Sequence, residues 1–160
     1  MKKLILPVAL FGILFWASCG SSEVKEGSEN ESPESMVKEN ESSATDVDDK
    51  GVGKFTTVEL TNPLNQEWVK DGEGIYNMKC LSCHKLTEEK LVGPGWRGVT
   101  TRRHPEWIMN FVTNTDEMID KSKDAQKMLE ECLTRMPNQN LSDHDARTVL
   151  EFMRNNDGVK

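Results

Sequence analysis

Apolar residues in the second half of the chain recur at steps of three and four, which is the spacing of one face of an α-helix. These stripes predict helices from Gln66 to Lys79, from Pro105 to about Thr113, from about Ser122 to Arg135, and from Ser142 onward. No stretch alternates apolar and polar residues in the manner of a strand. The pattern therefore predicts a small all-α domain of about four helices over residues 63–160.

The ends of these helices carry recognisable signals. Pro105 suits the first position of its helix, where a backbone N–H is not needed. Ser142 is a candidate N-cap of the last helix, with Asp145 three residues later. Pro137 is expected to end the third helix, because proline pushes the preceding residue, Met136, toward an extended conformation.

The start of the chain has the pattern of a secretory signal. Two lysines precede an apolar run of 14 residues from Leu4 to Ala17, shorter than the ~20 that a transmembrane helix needs. The following "FWASC" resembles the lipobox of bacterial lipoproteins, which implies that residues 1–18 are a signal peptide and that Cys19 is lipidated. Trp16 stands where that pattern usually has Leu, Val or Ile, so ordinary cleavage or a retained signal anchor remain alternatives.

Residues 19–62 are predicted to form a disordered tether that begins at the lipidated cysteine. Residues 20–50 are rich in Ser and Glu and hold ten acidic residues and three lysines, a net charge of -7. Such a segment cannot bury enough apolar surface to offset its ordering entropy. Residues 51–160 hold 15 Lys or Arg and 17 Asp or Glu, which is nearly neutral and predicts no nucleic-acid partner.

The candidate chemistry lies in "NMKCLSCHKL", where Cys80, Cys83 and His84 form a C-x-x-C-H motif. This spacing is typical of covalent haem attachment. Two thiols three residues apart lie on one side of a helical turn, so each can add to a haem vinyl group. The imidazole of His84 then lies under the iron.

Two other chemistries fit the motif less well. A tetrahedral zinc site needs further ligands, and only Cys132, His104 and His144 remain, scattered along the chain. A catalytic dithiol usually follows a strand, and none is predicted before Cys80.

Residues Gln66–Asn156 resemble class I, monohaem cytochromes c, which implies the small cytochrome c fold around one covalent haem c. Gly72 and Tyr76 match the glycine and the aromatic residue with which the family's first helix crosses its last. Val149 and Phe152 fall where the last helix supplies their partners.

The same resemblance assigns roles to the loop "KLVGPGW". Gly93-Pro94 looks like the family's loop in which the proline carbonyl accepts a hydrogen bond from the proximal histidine, so Pro94 would orient His84. Arg97, in the same loop, is a candidate contact for a haem propionate.

Met136 is the preferred second axial ligand of the iron. Pro137 forces it out of a helix and into a loop, from which a thioether can point inward. The segment "MPNQNLSDHDARTVL" also looks like the Met-Pro loop and capped final helix of small bacterial cytochromes c. Met118 and Met128 remain alternatives, followed by the two histidines outside the motif.

An iron with two protein ligands cannot readily bind oxygen, so these residues predict a one-electron carrier and not an enzyme. The resemblance implies a carrier anchored through Cys19 on the periplasmic side of a bacterial membrane, between a quinol-oxidising complex and a terminal oxidase or anaerobic reductase. Relatives with segments similar to "TRRHPEW" and "LTRMPNQNLS" accompany nitrous-oxide reductase, which makes that enzyme one candidate. A haem enzyme with an open sixth position is the alternative. Five basic residues could form a docking ring for acidic partners: Lys79, Lys85, Lys90, Arg102 and Arg103.

Overall fold

The computed structural model describes residues 49–160, so the predicted signal peptide, the predicted lipidation site Cys19 and most of the predicted tether lie outside the described residues. The α-helices that form the domain are α1 (Gln66–Ile75), α2 (Val99–Arg102), α3 (Pro105–Thr113), α4 (Thr115–Lys121), α5 (Lys123–Cys132) and α6 (Asp143–Asn156). A π-helical turn, Tyr76–Cys80, continues α1. No strand occurs within residues 49–160, which agrees with the predicted all-α class. In the same range, no helix is long and apolar enough to cross a membrane.

The first and last helices cross at Gly72. Helix α1 begins at Asn65, whose side chain accepts hydrogen bonds from the N–H groups of Glu67 and Trp68. A Cβ atom at position 72 would lie 2.1 Å from the backbone oxygen of Thr148 in α6. Only glycine allows this approach, and α1 makes its most extensive contacts with α6.

The predicted helix ends are correct for α3 and α6 but wrong for α5. Helix α6 starts with a capping box, in which Ser142 and Asp145 each accept from the other's backbone N–H. Helix α5 ends at Cys132, because Leu133 adopts the left-handed conformation with φ of 56°. Pro137 therefore lies beyond the end of the helix and does not terminate it.

The short helices α2 and α4 were not predicted. With four and seven residues, they contain too few apolar positions to form a recognisable stripe. Helix α4 nevertheless buries Met118 and Ile119 in the core.

Residues 50–61 form an N-terminal strap along the domain, so the predicted boundary at residue 62 lies too far along the chain. The backbone N–H of Phe55 donates to Asn110 Oδ1 at 3.0 Å, and that of Val58 donates to Glu106 Oε1 at 3.0 Å. The side chains of Phe55 and Val58 also pack against the core. Buried polar side chains of α3 thus accept hydrogen bonds from the backbone of a segment that its composition predicts to be disordered.

A buried carboxylate in α6 fixes the end of the strap. Glu151 is fully buried and pairs with Arg147 at 2.6 Å and Arg154 at 3.0 Å. It also accepts hydrogen bonds from the Thr61 hydroxyl and the Asn65 N–H. Burial alone would raise the pKa of Glu151, but these hydrogen bonds and the nearby Arg147 charge hold that pKa below its usual value.

Candidate functional site

Cys80, Cys83 and His84 lie together on one tight turn at the end of the first helix. The backbone N–H groups of Cys83 and His84 both donate to Cys80 O, at 3.0 and 2.9 Å. Leu81 N donates to Tyr76 O at 2.9 Å, five residues back, so the last turn widens before the motif begins. Both cysteines are free thiols, as covalent haem attachment requires.

The electrostatics of Cys80 do not suit a catalytic dithiol. The residue is buried, and burial raises the pKa of its thiol to about 11, although Lys79 opposes the shift. A nucleophilic cysteine of a dithiol pair needs the opposite change, toward the thiolate. Within residues 49–160, no cluster of three or more His, Cys, Asp or Glu side chains could hold a metal ion, so the zinc interpretation gains no support.

His84 is held at three points. Its Nδ1 lies 2.9 Å from Pro94 O, within hydrogen-bond distance. The Tyr76 hydroxyl donates to His84 O at 2.8 Å. A Cβ atom at Gly93 would lie 2.4 Å from His84 Cε1, so glycine is needed for the ring to lie against this loop.

The protonation state of the His84 imidazole suits a metal ligand. Burial lowers its pKa, an effect that the hydrogen bond to Pro94 partly opposes, so the ring is neutral at pH 7. With Nδ1–H donating to Pro94 O, the lone pair is on Nε2. This second-sphere hydrogen bond also makes the ligand more basic.

Two cavities adjoin His84, with empty volumes of about 530 and 880 Å³ including space open to solvent. The smaller cavity touches Cys83 and the larger touches Trp107. The residues that line both are His84, Pro94, Phe111, Met128 and Met136.

Among the described methionines, only those at the cavities can face an iron held by His84. Met136 and Met128 line both cavities, and Met153 lines the larger one. Met118 is fully buried elsewhere, where its Sδ lies 2.8 Å from the N–H of Val52. His104 and His144, the distant alternatives, are exposed and do not appear among the lining residues.

The larger cavity also contains groups that suit a carboxylate. Trp107 is buried, and its Nε1 has no hydrogen-bond partner among the described residues. Arg102 and Arg103 line the same cavity, with the Arg103 guanidinium 4.5 Å from the Trp107 ring centre. Arg97, the predicted propionate contact, is exposed and absent from both linings, so the other two arginines are better placed.

Taken together, the site offers two thiols, a neutral imidazole, a thioether and donors for carboxylates around an apolar space, and these groups fit a haem. The sequence matches the cytochrome c family over residues 69–157. The chain belongs to the cytochrome c family. This membership confirms the predicted fold, a covalently bound haem c and an electron-transfer haem protein of the monohaem class I type.

Solved cytochromes c share this fold along most of their length. The chain is 31% identical to a cytochrome c from Rhodothermus marinus, with a TM-score of 0.66. It is 30% identical to an engineered cytochrome c from the same organism, Rma TDE, with a TM-score of 0.65. The same engineered protein bound to a carbene intermediate gives 29% identity and a TM-score of 0.62. Each match covers 70% of this chain and 96% of the other. No curated protein sequence matches the chain.

Proposed function

We propose that this cytochrome c is a membrane-tethered one-electron carrier whose iron is held by His84 and Met136. In this proposal, lipidated Cys19 anchors it on the periplasmic side of the bacterial envelope. It receives electrons from a quinol-oxidising complex and passes them to a terminal oxidase or anaerobic reductase, for which nitrous-oxide reductase is one candidate.

The observation that carries the proposal is that His84 and Met136 line the same two cavities. When bound, haem c would supply an iron that exchanges one electron; His84 and Met136 would hold it, and a methionine ligand favours a higher reduction potential. The protein supplies a neutral imidazole oriented by Pro94. It also supplies a pocket lined largely by apolar side chains.

The structure favours Met136 over Met128 as the second ligand. Met136 lies on a loop beyond the end of α5, where the backbone is not committed to helical hydrogen bonds. Met128 lies within α5, and its Sδ is 4.0 Å from Arg103 Nη2, a residue on the wall of the larger cavity.

Carbon monoxide distinguishes a carrier from a haem enzyme. The reduced full-length holoprotein should show no change in its visible spectrum under carbon monoxide, because both axial positions are filled. Immediate formation of a carbon monoxide complex would favour the alternative, a haem protein with an open sixth position. We retain this alternative because a similar engineered cytochrome c has been solved with a bound carbene intermediate.

The anchor is tested separately. Cys19→Ala should move the protein from the membrane fraction to the soluble fraction without changing its spectrum. Firm membrane attachment of the variant would point to a retained signal anchor instead of a lipid.

A further inference from the structure

Exposed large apolar side chains come mainly from two segments of the described chain. Among the described residues, all of them except Leu60 occur within residues 78–92 or at position 133. We call four of these residues the apolar rim: Leu81, Leu91, Val92 and Leu133. Exposed apolar side chains that gather in one place usually mark an interaction site, whereas scattered ones need no explanation.

Backbone contacts bring the segments of the rim together around Cys83. The N–H of Val92 donates to Cys83 O at 3.3 Å. Lys90 Nζ donates to the backbone oxygen of Glu131 at 2.8 Å, which joins this loop to the end of α5, two residues before Leu133. Of the rim, Val92 lines the smaller cavity, together with Cys83 and with Thr134, the residue after Leu133.

Leu133 is unusual in two independent ways. It is 88% exposed, the largest value among the exposed apolar residues of the described chain. It also occupies the left-handed position after α5, with φ of 56°, where glycine or asparagine is the usual residue. A leucine there is less favourable than glycine and gains little burial against residues 49–160. A contact outside the chain would account for it.

The basic residues predicted to form a docking ring are all engaged within the chain. Lys79 and Lys90 donate to backbone oxygens, Lys85 pairs with Glu89 at 2.8 Å, Arg102 donates to Arg97 O, and Arg103 pairs with Asp124. Residues 78–92 and 130–136 together contain four basic and four acidic residues, so the two segments that carry the rim have no net charge. A strongly acidic partner would find little electrostatic attraction here.

We infer that the apolar rim is the docking surface for a redox protein whose matching face is apolar and uncharged around its own cofactor. The inference rests on the proposed electron-carrier function. Docking of this kind excludes water from the path between the two cofactors and depends little on salt. One electron leaves the reduced cytochrome, and the docked partner gains it.

The test uses charge of both signs at position 133. The reduced full-length holoprotein is mixed with membranes from the cells that produce it, and its oxidation is followed optically. Leu133→Lys and Leu133→Glu should both slow oxidation by about fivefold or more, because either charge must lose its water on docking. The matched controls, Leu60→Lys and Leu60→Glu, place the same charges on an exposed leucine outside the rim and should stay within about twofold of the wild type. The wild-type rate should change by less than about twofold between low and high salt.

Three outcomes would overturn the inference. If Leu133→Lys accelerates oxidation while Leu133→Glu slows it, with a steep loss of the wild-type rate in salt, the partner is acidic. If the Leu133 variants slow only electron exchange between reduced and oxidised copies of this protein, the occupant is a second copy. Wild-type rates for both Leu133 variants would mean that the rim is not a docking surface.

Failure of the proposed function gives a different result. In that case the wild-type protein itself is not oxidised by the membranes at any salt concentration, and the inference falls with it. Unchanged visible spectra and midpoint potentials of the Leu133 variants establish that slower oxidation comes from docking and not from a damaged haem site.

Discussion

The two candidate ligands of the iron are held by different kinds of contact. His84 lies against buried groups: its ring hydrogen-bonds to Pro94 O, its carbonyl accepts from Tyr76, and α1 and α6 pack behind it. Met136 lies in the loop of residues 133–140, whose described polar anchors are on the surface. Among them, the neighbouring Arg135 contacts Asp120 at 2.9 Å.

This difference predicts an order of stability within the site. A buried hydrogen bond that is lost leaves an unsatisfied group in the interior, whereas an exposed ion pair exchanges its partner for water and salt. The contacts that hold His84 should therefore be lost only when the whole domain unfolds. The contacts of the Met136 loop should be the first to break when salt or denaturant is added.

The largest expected effect is at the helix crossing behind His84. Gly72→Ala should lower the free energy of unfolding by about 3 kcal/mol, because the new Cβ meets the backbone of α6 and not a flexible side chain. Gly74→Ala is the matched control in the same helix, since a Cβ there meets nothing within 4 Å. It should stabilise the protein by up to about 1 kcal/mol in denaturant titrations. Equal effects of the two substitutions would contradict the close crossing.

The next effect concerns the buried charge in α6. Glu151→Gln should cost about 2 kcal/mol, because charge-assisted hydrogen bonds from Arg147 and Arg154 become weaker. The pKa of Glu151 is lower in the folded than in the unfolded chain, so its stabilising contribution is complete above the ordinary value of 4.5. That contribution is lost as the pH falls through the folded pKa. Unfolding measured from pH 7 to pH 3 should show a smaller acid-induced loss of stability in the variant than in the wild type.

A smaller effect is expected at the hydroxyl that holds His84. Tyr76→Phe keeps the aromatic packing against Trp96 and Phe152 but removes the donor to His84 O. The free energy of unfolding should fall by about 1 kcal/mol. The midpoint potential should also shift, which a loss of packing alone would not cause. An unchanged potential would mean that the hydroxyl stabilises the fold without positioning the ligand.

The smallest effect is expected on the Met136 side. Arg135→Gln removes the contacts with Asp116 and Asp120, both of which are exposed. The free energy of unfolding should not change measurably. In the oxidised holoprotein, the sulphur-to-iron charge-transfer band should weaken slightly. Any effect of salt on the band in the wild type that comes from these ion pairs should be absent in the variant. A loss of stability larger than that of Tyr76→Phe would reverse the proposed order of the two sides.

The sequence predicts the long elements well, because helices that bury one face must repeat apolar residues at helical spacing. Helices α3 and α6 begin at their predicted residues, Pro105 and the residue after Ser142. Helices α2 and α4 are too short for that signal. The strap of residues 50–61 is ordered by single hydrogen bonds from distant side chains such as Asn110 and Glu106, which no local pattern reveals.

In the candidate site, too, features that are local in sequence are predictable, whereas contacts between distant residues are not. The C-x-x-C-H motif and Pro94 are close in sequence: the motif lies on one turn, and His84 Nδ1 lies 2.9 Å from Pro94 O. Arg97 is predicted from its place in that loop, whereas Arg102 and Arg103, at the end of α2, line the larger cavity. The sequence shows both arginines in the "TRRHPEW" segment, but only the fold shows that their side chains line the larger cavity.

In the proposed carrier, Met136 and not Met128 is the second ligand of the iron. The most direct measurement compares Met136→Leu with Met128→Leu in the oxidised full-length holoprotein, by the sulphur-to-iron charge-transfer band and the midpoint potential. Met136→Leu should abolish the band and lower the potential, while Met128→Leu, which removes a sulphur from the same cavities, should leave the band in place. A band that survives in Met136→Leu and disappears in Met128→Leu would contradict the assignment.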